Sequence, residues 1–380
     1  MDYQALSNRK EQALTTRGKL LKMNTLFKAV TMEGKQTLTV TEYTDSSAFD
    51  ALASQWDTLL EHCSTRSPFL TWQWQKLWWD CWKQNRHLRI ITVGEENGRL
   101  CGIAPLYEEK KNGRRELMLL GSSDLCDYLD CIITAGEEED FYRTLLSYLV
   151  STAIQPVTLT FNSLQHHSPA ISFFKAAARR DGYAIDFHRE DTAPGLDLPS
   201  DFELYLKMLS KKDRHEMRRK RRRAEQEQAV AFRTVVDPAQ VKDTLPHFLT
   251  LFRKSAKTKN DFLTPERECF FQLLAEEFSR RGWLEIFSLS LDDRNVAYLF
   301  CFHYNGTRYL YNAAYDPDYS SLSPGIVVTT YCLEDAISRG INRFDFLRGD
   351  ETYKYRFGAQ DHHLYSLTVN LLGEKKPCIA

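Results

Sequence analysis

Apolar positions along the chain follow two periods, and the switch between them marks out successive elements. "QTLTVTEYTD" alternates as a half-buried strand does. "SSAFDALASQWDTLLEHC" then places Phe49, Leu52, Trp56, Leu59 and Leu60 on one helical face, with Ser46 or Ser47 as the cap. "SPFLTWQWQKLWWDCWKQN" predicts a second helix, capped by Ser67, with Pro68 in its first turn. Three strands follow, "LRIITVGE", "RLCGIAPLYEE" and "RELMLLGS", the first two joined by an Asn-Gly turn. After "DLCDYLDCIIT" come a helix (EEEDFYRTLLSYLVS), a strand (PVTLTFNSL), a helix ending at Gly182 and a strand (YAIDFHRE).

"DTAPGLDLPSD", with Pro194, Gly195 and Pro199, reads as a linker. Beyond it, one long helix is predicted from Phe202 to about Gln228, then the strand "VAFRTVVD". Two helices precede a three-strand meander: "WLEIFSLSL", "RNVAYLFCFHYN" and "TRYLYNAAYD". A helix from Ser323 and Pro324 to Gly340 and the strand "NRFDFLRG" complete the set. Helices, meander, helix and strand thus occur twice, a repeat of architecture without a repeat of sequence. A meander followed by a β-α-β crossover predicts an α/β chain with a mixed sheet in each half.

Composition narrows the class. A 380-residue chain with 43% hydrophobic and 27% charged residues suits two globular domains. Its formal net charge of -1 excludes a global polyanion binder, so any basic surface is local. No apolar run approaches the roughly 18–20 residues that span a bilayer. The first 36 residues lack the apolar core of a signal peptide and are expected to be frayed or partly helical. The 9 cysteines are scattered, with no CxxC pair, which points to a reducing cytoplasm and to no structural zinc. His166-His167 and His362-His363 are adjacent pairs whose side chains point to opposite faces of a strand. Trp74, Trp78 and Trp82 share one face of the aromatic helix, and Trp72 and Trp79 another, which suits core packing.

Four stretches carry candidate chemistry. In "YSSLSPG", a helix N-terminus beside Ser320, Ser321, Ser323 and Gly325 offers donors for a phosphate. The basic run from Lys207 to Arg223 asks for an anion: nucleotide phosphates, a lipid surface or tRNA. Arg214 and Arg218, one turn apart, are its phosphate-binding candidates. In "FLRGDETYKYRFG", Asp350 or Glu351 suits a general base, and Lys354 a phosphate or a developing oxyanion. Arg348 closes the strand and is read as substrate-binding. Between two strands of the first half, Asp127, Tyr128 and Asp130 are candidates for acceptor binding. The bland alternatives are a solvated helix face, an ordinary capped helix and plain turn chemistry.

The pieces "LSKKDRHEMRRKRRRAE", "AAYDPDYSSLSPG" and "GINRFDFLRGDETYKYRFG", in that order, resemble the GNAT acyltransferases. Two such units in tandem look like the CelD-like, cellulose-biosynthesis associated type, related to the Fem-type peptidoglycan aminoacyltransferases. The resemblance implies an N-terminal extension over 1–36 and GNAT-like domains over 37–192 and 193–380. It implies acyl-CoA (acetyl-CoA) as co-substrate, with no metal, and an amine or hydroxyl acceptor on a sugar, polysaccharide or envelope precursor. Tyr353 matches the tyrosine that protonates the leaving thiolate in many of these enzymes. The usual Q/R-x-x-G-x-G/A phosphate loop is poor in glycine here. Two alternatives therefore stand: an aminoacyl-tRNA-dependent Fem-like transferase, and a non-catalytic binding module. The expected location is cytoplasmic, with peripheral contact to an anionic membrane through residues 207–223.

Overall fold

The computed structural model describes residues 13–16, 19–29, 37–111, 113–121, 124–153 and 155–371. In chain order the elements begin with β1 (Ala13–Thr16), β2 (Lys19–Ala29), β3 (Leu38–Tyr43), α1 (Ser47–His62) and α2 (Trp72–Trp82). β4 (Arg86–Glu95), β5 (Leu100–Lys111), β6 (Arg114–Leu119), β7 (Ile132–Ile133) and α3 (Glu138–Thr152) follow. Then come β8 (Val157–Gln165), α4 (Lys175–Arg180), β9 (Ala184–Thr192) and β10 (Gly195–Asp197). The helices α5 (Phe202–Met208) and α6 (Lys211–Glu227) precede β11 (Val230–Val235), α7 (Pro238–Ser255), α8 (Lys257–Phe262) and α9 (Pro265–Arg280). The chain closes with β12 (Leu284–Leu291), β13 (Arg294–Tyr304), β14 (Thr307–Tyr315), α10 (Pro324–Ser338), β15 (Arg343–Asp345), α11 (Thr352–Arg356) and β16 (His363–Leu371).

Two compact units result. The first runs to Glu190 and takes back the chain from Leu364 onward; the second spans Asp191–His363. The first sheet has the order β1-β2-β3-β4-β5-β6-β8-β16-β9, with β7 beside β5. The pairs from β1 to β6 are antiparallel, and the α3 crossover makes β6 and β8 parallel. Strand β16 pairs antiparallel with β8, so the described C-terminal residues belong to this sheet rather than to the domain expected over 193–380. The expected N-terminal extension contains the antiparallel pair β1–β2, where a frayed or helical segment was anticipated; its other residues lie outside those described. Trp74, Trp78 and Trp79 are core residues.

The second sheet has the order β10-β15-β14-β13-β12-β11. Its one parallel pair is β14–β15, joined by α10. One face packs against α5, α6 and α10 through Tyr205, Met217, Val328, Leu333 and Phe344. On the opposite face, Phe248 of α7 meets Phe271 of α9 and Phe300 of β13. The helix predicted from Phe202 to about Gln228 is broken into α5 and α6. Ser210 caps the second through its hydroxyl and the Asp213 N–H (3.1 Å), while Leu209 turns into the core. Among the described residues no helix is long and apolar enough to cross a membrane, and no three His, Cys, Asp or Glu side chains gather as metal ligands do.

A buried charge cluster holds the lower end of this sheet. The Arg308 guanidinium, fully buried, lies 2.7 Å from Glu285 and 2.8 Å from Asp335, and donates to Cys332 O (2.8 Å). Arg339 reaches the other Glu285 oxygen at 2.7 Å. Nothing in the local sequence announces this cluster, because its members come from β12, β14 and α10.

Candidate active site

Strands β14 and β15 begin side by side and then part. Their pairing covers Thr307–Tyr309 against Arg343–Asp345 and no further. β14 continues to Tyr315, so its upper half has an open edge facing away from β13. The register with β13 slips between Phe300 and Cys301, which face Asn312 and Leu310, leaving Tyr311 as a bulge.

The open edge can be read group by group. The Asp316 N–H bonds Val296 O (2.8 Å), so by antiparallel alternation the N–H and C=O of Ala313 and Tyr315 point away from β13. The Ser255 hydroxyl accepts from the Tyr315 N–H (2.8 Å) and lies 3.0 Å from Tyr315 O. The Lys259 ammonium donates to Ala313 O (2.5 Å). Among the described residues nothing accepts from the Ala313 N–H. Lys259 sits on α8, over the Phe252 ring (5.1 Å). Burial lowers its pKa, and the Glu351 carboxylate partly opposes that. Sequence reasoning missed Lys259 and Ser255: they sit 54 and 60 positions before the residues they touch, without a motif around them.

The other wall is the loop after β15. Leu347 is buried with φ 59°, a left-handed conformation that is unfavourable for a branched residue. Three donor groups hold the loop. The Leu347 N–H donates to the Asp345 carboxylate (2.8 Å), the Gly349 N–H to Thr192 O (2.9 Å), and the Lys354 ammonium gathers the carbonyls. Lys354 is buried at 2% exposure and donates to Leu347 O (3.1 Å), Arg348 O (2.7 Å) and Gly349 O (2.9 Å). It also pairs with Glu351 at 2.8 Å. Its donors are thus committed to shaping the loop.

Asp350 and Glu351 are exposed at the start of α11. Glu351 is therefore electrostatically close to both Lys354 and Lys259. Tyr353 packs edge-on against Phe346 and Phe357; burial, and then the Glu351 charge, push its phenol well above the ordinary range, so it stays protonated. Arg348 is largely buried, 3.5 Å from Asp191.

The proposed phosphate residues do not assemble into one site. Ser320 and Ser321 are exposed on the short 3-10 turn Pro317–Leu322, which the buried Asp316 caps at the Asp318 N–H (3.1 Å). Lys254 holds Asp316 at 2.6 Å. Ser323 is left-handed and does not cap α10 with its side chain. Its carbonyl takes the N–H groups of both Ile326 (3.0 Å) and Val327 (3.1 Å). Since Pro324 has no N–H, Gly325 holds the one uncommitted donor of the first turn among the described residues.

Arg214 and Arg218 lie at the other end of α10. Arg221 pairs with Glu334 (2.7 Å) and Glu225 with Tyr331 (2.6 Å), so α6 runs antiparallel to α10. At 1.5 Å per residue, Arg218 is about 18 Å from Gly325 along the helix axes. Much of the basic run is also neutralised: Arg218 by Glu203, Arg219 by Glu216, Arg221 by Glu225 and Arg223 by Glu227. Lys211 and Lys212 have no ion pair among the described residues. With Arg214, His215, Glu216 and Arg218 they line an open depression of about 650 Å³.

In the first unit, Tyr128 and Asp130 are buried. Tyr128 meets Phe69 edge-on at 5.9 Å. Asp130 accepts from the Cys131 N–H (2.9 Å) and the Tyr142 hydroxyl (3.2 Å). Burial raises its pKa to about 6, against those hydrogen bonds. Asp127 is half-buried. Because the folded pKa lies above the unfolded one, Asp130 favours folding fully at low pH, and that contribution falls as pH rises from about 4 to 6. The stability of wild type minus that of Asp130→Asn should therefore drop by about 3 kcal/mol over this interval. Parallel urea titrations of the two proteins check this; a flat difference overturns it.

The meander β12-β13-β14 and the crossover helix α10 that leads to the parallel strand β15 follow the order of elements that the sequence predicts. Residues 211–355 match the acetyltransferase (GNAT) domain family. No curated protein matches the chain. Among solved structures, the chain is similar to FemX at 11% identity and a TM-score of 0.58, over 83% of this chain and 95% of that one. It is also similar to the C-terminal domain of a putative lysylphosphatidylglycerol synthetase from Agrobacterium fabrum (10% identity, TM-score 0.52, 86% and 92% covered). A third is L-PGS from Bacillus licheniformis (11% identity, TM-score 0.51, 83% and 90% covered). At these identities the likeness is one of fold. Residues 211–355 are thus GNAT-like, within a chain built from two mixed sheets flanked by helices.

Proposed function

We propose that the second unit transfers an acyl group from acyl-CoA to an amine or hydroxyl acceptor. The observation that carries this is the open edge of β14 above Tyr309, with the Ala313 N–H uncommitted. An extended donor arm fits beside such an edge as a further strand does, and an aimed N–H polarises a carbonyl. The acceptor's lone pair attacks the thioester carbon, and Glu351 or Asp350 takes its proton. The new C–N or C–O bond forms, the C–S bond breaks, and the thiolate takes the Tyr353 proton. Two features support these roles: both carboxylates are exposed, with Glu351 within electrostatic reach of Lys259, and Tyr353 retains its proton. An acceptor on a sugar, polysaccharide or envelope precursor, the CelD-like type, a cytoplasmic location and peripheral contact through residues 207–223 complete the reading.

One observation favours a second donor. The start of α10 offers the Gly325 N–H alone, where a pyrophosphate usually finds several. FemX and the lysylphosphatidylglycerol synthetases share the fold, and an aminoacyl donor carried on tRNA needs no pyrophosphate cradle. Thermal unfolding with coenzyme A, acetyl-CoA and tRNA separates the two. At 100 times its dissociation constant the true donor adds about 2.7 kcal/mol to stability. A shift with the CoA species alone supports the first reading. A shift with tRNA alone transfers the assignment to the second, and no shift with any of them removes both.

A further inference from the structure

We propose that Lys259 completes an oxyanion hole with the Ala313 N–H, so that the carbonyl of the bound donor is polarised by one main-chain donor and one ammonium. This rests on the donor reading above and adds a residue to it. Three observations converge. The N–H and C=O of Ala313 emerge on the same open side of β14, the C=O already bonded to Lys259 at 2.5 Å. An ammonium has three donors, and this bond uses one. The neighbouring Tyr315 is held at both polar groups by Ser255, so among the described residues the Ala313 N–H is the donor left at this end of the edge, where Lys259 stands.

The placement follows from the helices. Ser255 ends α7 and Lys259 lies in α8, beyond a break at the extended Ala256 (φ -163°, ψ 150°). That break turns α8 toward the strand. Phe252 lies under the ammonium and keeps the stem against the core face. Glu351, on the opposite wall, supplies the counter-charge that favours the protonated ammonium at the opening. A cation in this position is worth more as the carbonyl oxygen gains charge than it is in the ground state, which is the requirement for catalysis. By contrast Lys354, the lysine that sequence reasoning put in this role, has its donors spent on Leu347, Arg348 and Gly349.

The test reads the carbonyl directly and needs no acceptor. Isotope-edited infrared spectra of acetyl-CoA labelled with carbon-13 at the thioester carbonyl are recorded free, bound to wild type, and bound to Lys259→Met and Lys259→Arg; calorimetry gives each affinity. In wild type the carbonyl stretch should move to lower frequency. In Lys259→Met most of that shift should be lost while the affinity for coenzyme A stays within about threefold; Lys259→Arg, which keeps a cationic donor, should retain part of it. Acetyl transfer by Lys259→Met, once an acceptor is in hand, should fall by about 10²–10³-fold. Wild-type binding without a shift, or an undiminished shift in Lys259→Met, overturns the role of Lys259 and leaves the donor reading standing. No binding of acetyl-CoA to wild type overturns the donor reading and this inference with it. Should Lys259→Met fail to fold, Lys259→Gln takes its place, with the same expected loss.

Discussion

Arg308→Met is expected to destabilise the second unit by about 3–5 kcal/mol. The guanidinium is fully buried between Glu285 and Asp335, and it also donates to Cys332 O. Met fills a similar volume but removes the charge that both carboxylates face. Glu285, itself 3% exposed at the side chain, then keeps Arg339 at 2.7 Å, with His303 4.0 Å away. A buried carboxylate that loses its partner either bears the desolvation penalty or takes up a proton. The double variant Arg308→Met/Glu285→Gln should recover a good part of the loss, because it removes the stranded charge. Guanidinium denaturation followed by tryptophan fluorescence measures both. A loss below about 1 kcal/mol for the single variant would sink the argument.

Lys354→Met is expected to cost about 3 kcal/mol or more, through the loop rather than through chemistry. Three carbonyls lose a charged donor together, and the left-handed Leu347 loses what holds it. Lys354→Arg should not restore stability: a planar guanidinium does not fit a point where three carbonyls converge on one atom. The loop from Phe346 to Glu351 should then become a site of limited proteolysis, ahead of global unfolding. If Lys354→Met instead unfolds like wild type and resists proteolysis at the loop, the lysine is not the loop's anchor.

These two variants and Lys259 illustrate how unevenly the protein could be read from its residues. The stretch after Phe346 is legible as a site because local chemistry marks it: a strand stops, glycine permits a turn, and charges crowd in. Which of its residues shape the loop and which face the opening is not legible. Lys354 and Glu351 are three positions apart with opposite charge, and their roles differ by burial alone. The basic run hides its partners for a related reason. Six consecutive cations look unopposed in sequence, yet Glu203 and Glu334 reach them from other helices. Arg214 and Arg218 cannot join Ser323 and Gly325, since α6 and α10 are antiparallel.

What the sequence determined by itself is the kind of most elements between Leu38 and Asp345, and the order of meander, helix and strand in each half. Hydrophobic period, caps and glycine stops are local properties, and each element carries its own. It also contained, as a resemblance, the GNAT-like unit of which residues 211–355 are the matched part. Only the tertiary structure decided that β16 returns to the first sheet, that β14 parts from β15 after Tyr309, and that Lys259 stands at the opening. Each of these depends on pairing between residues far apart in the chain. Such pairing is selected by which buried groups satisfy one another, and no single stretch of sequence contains both partners.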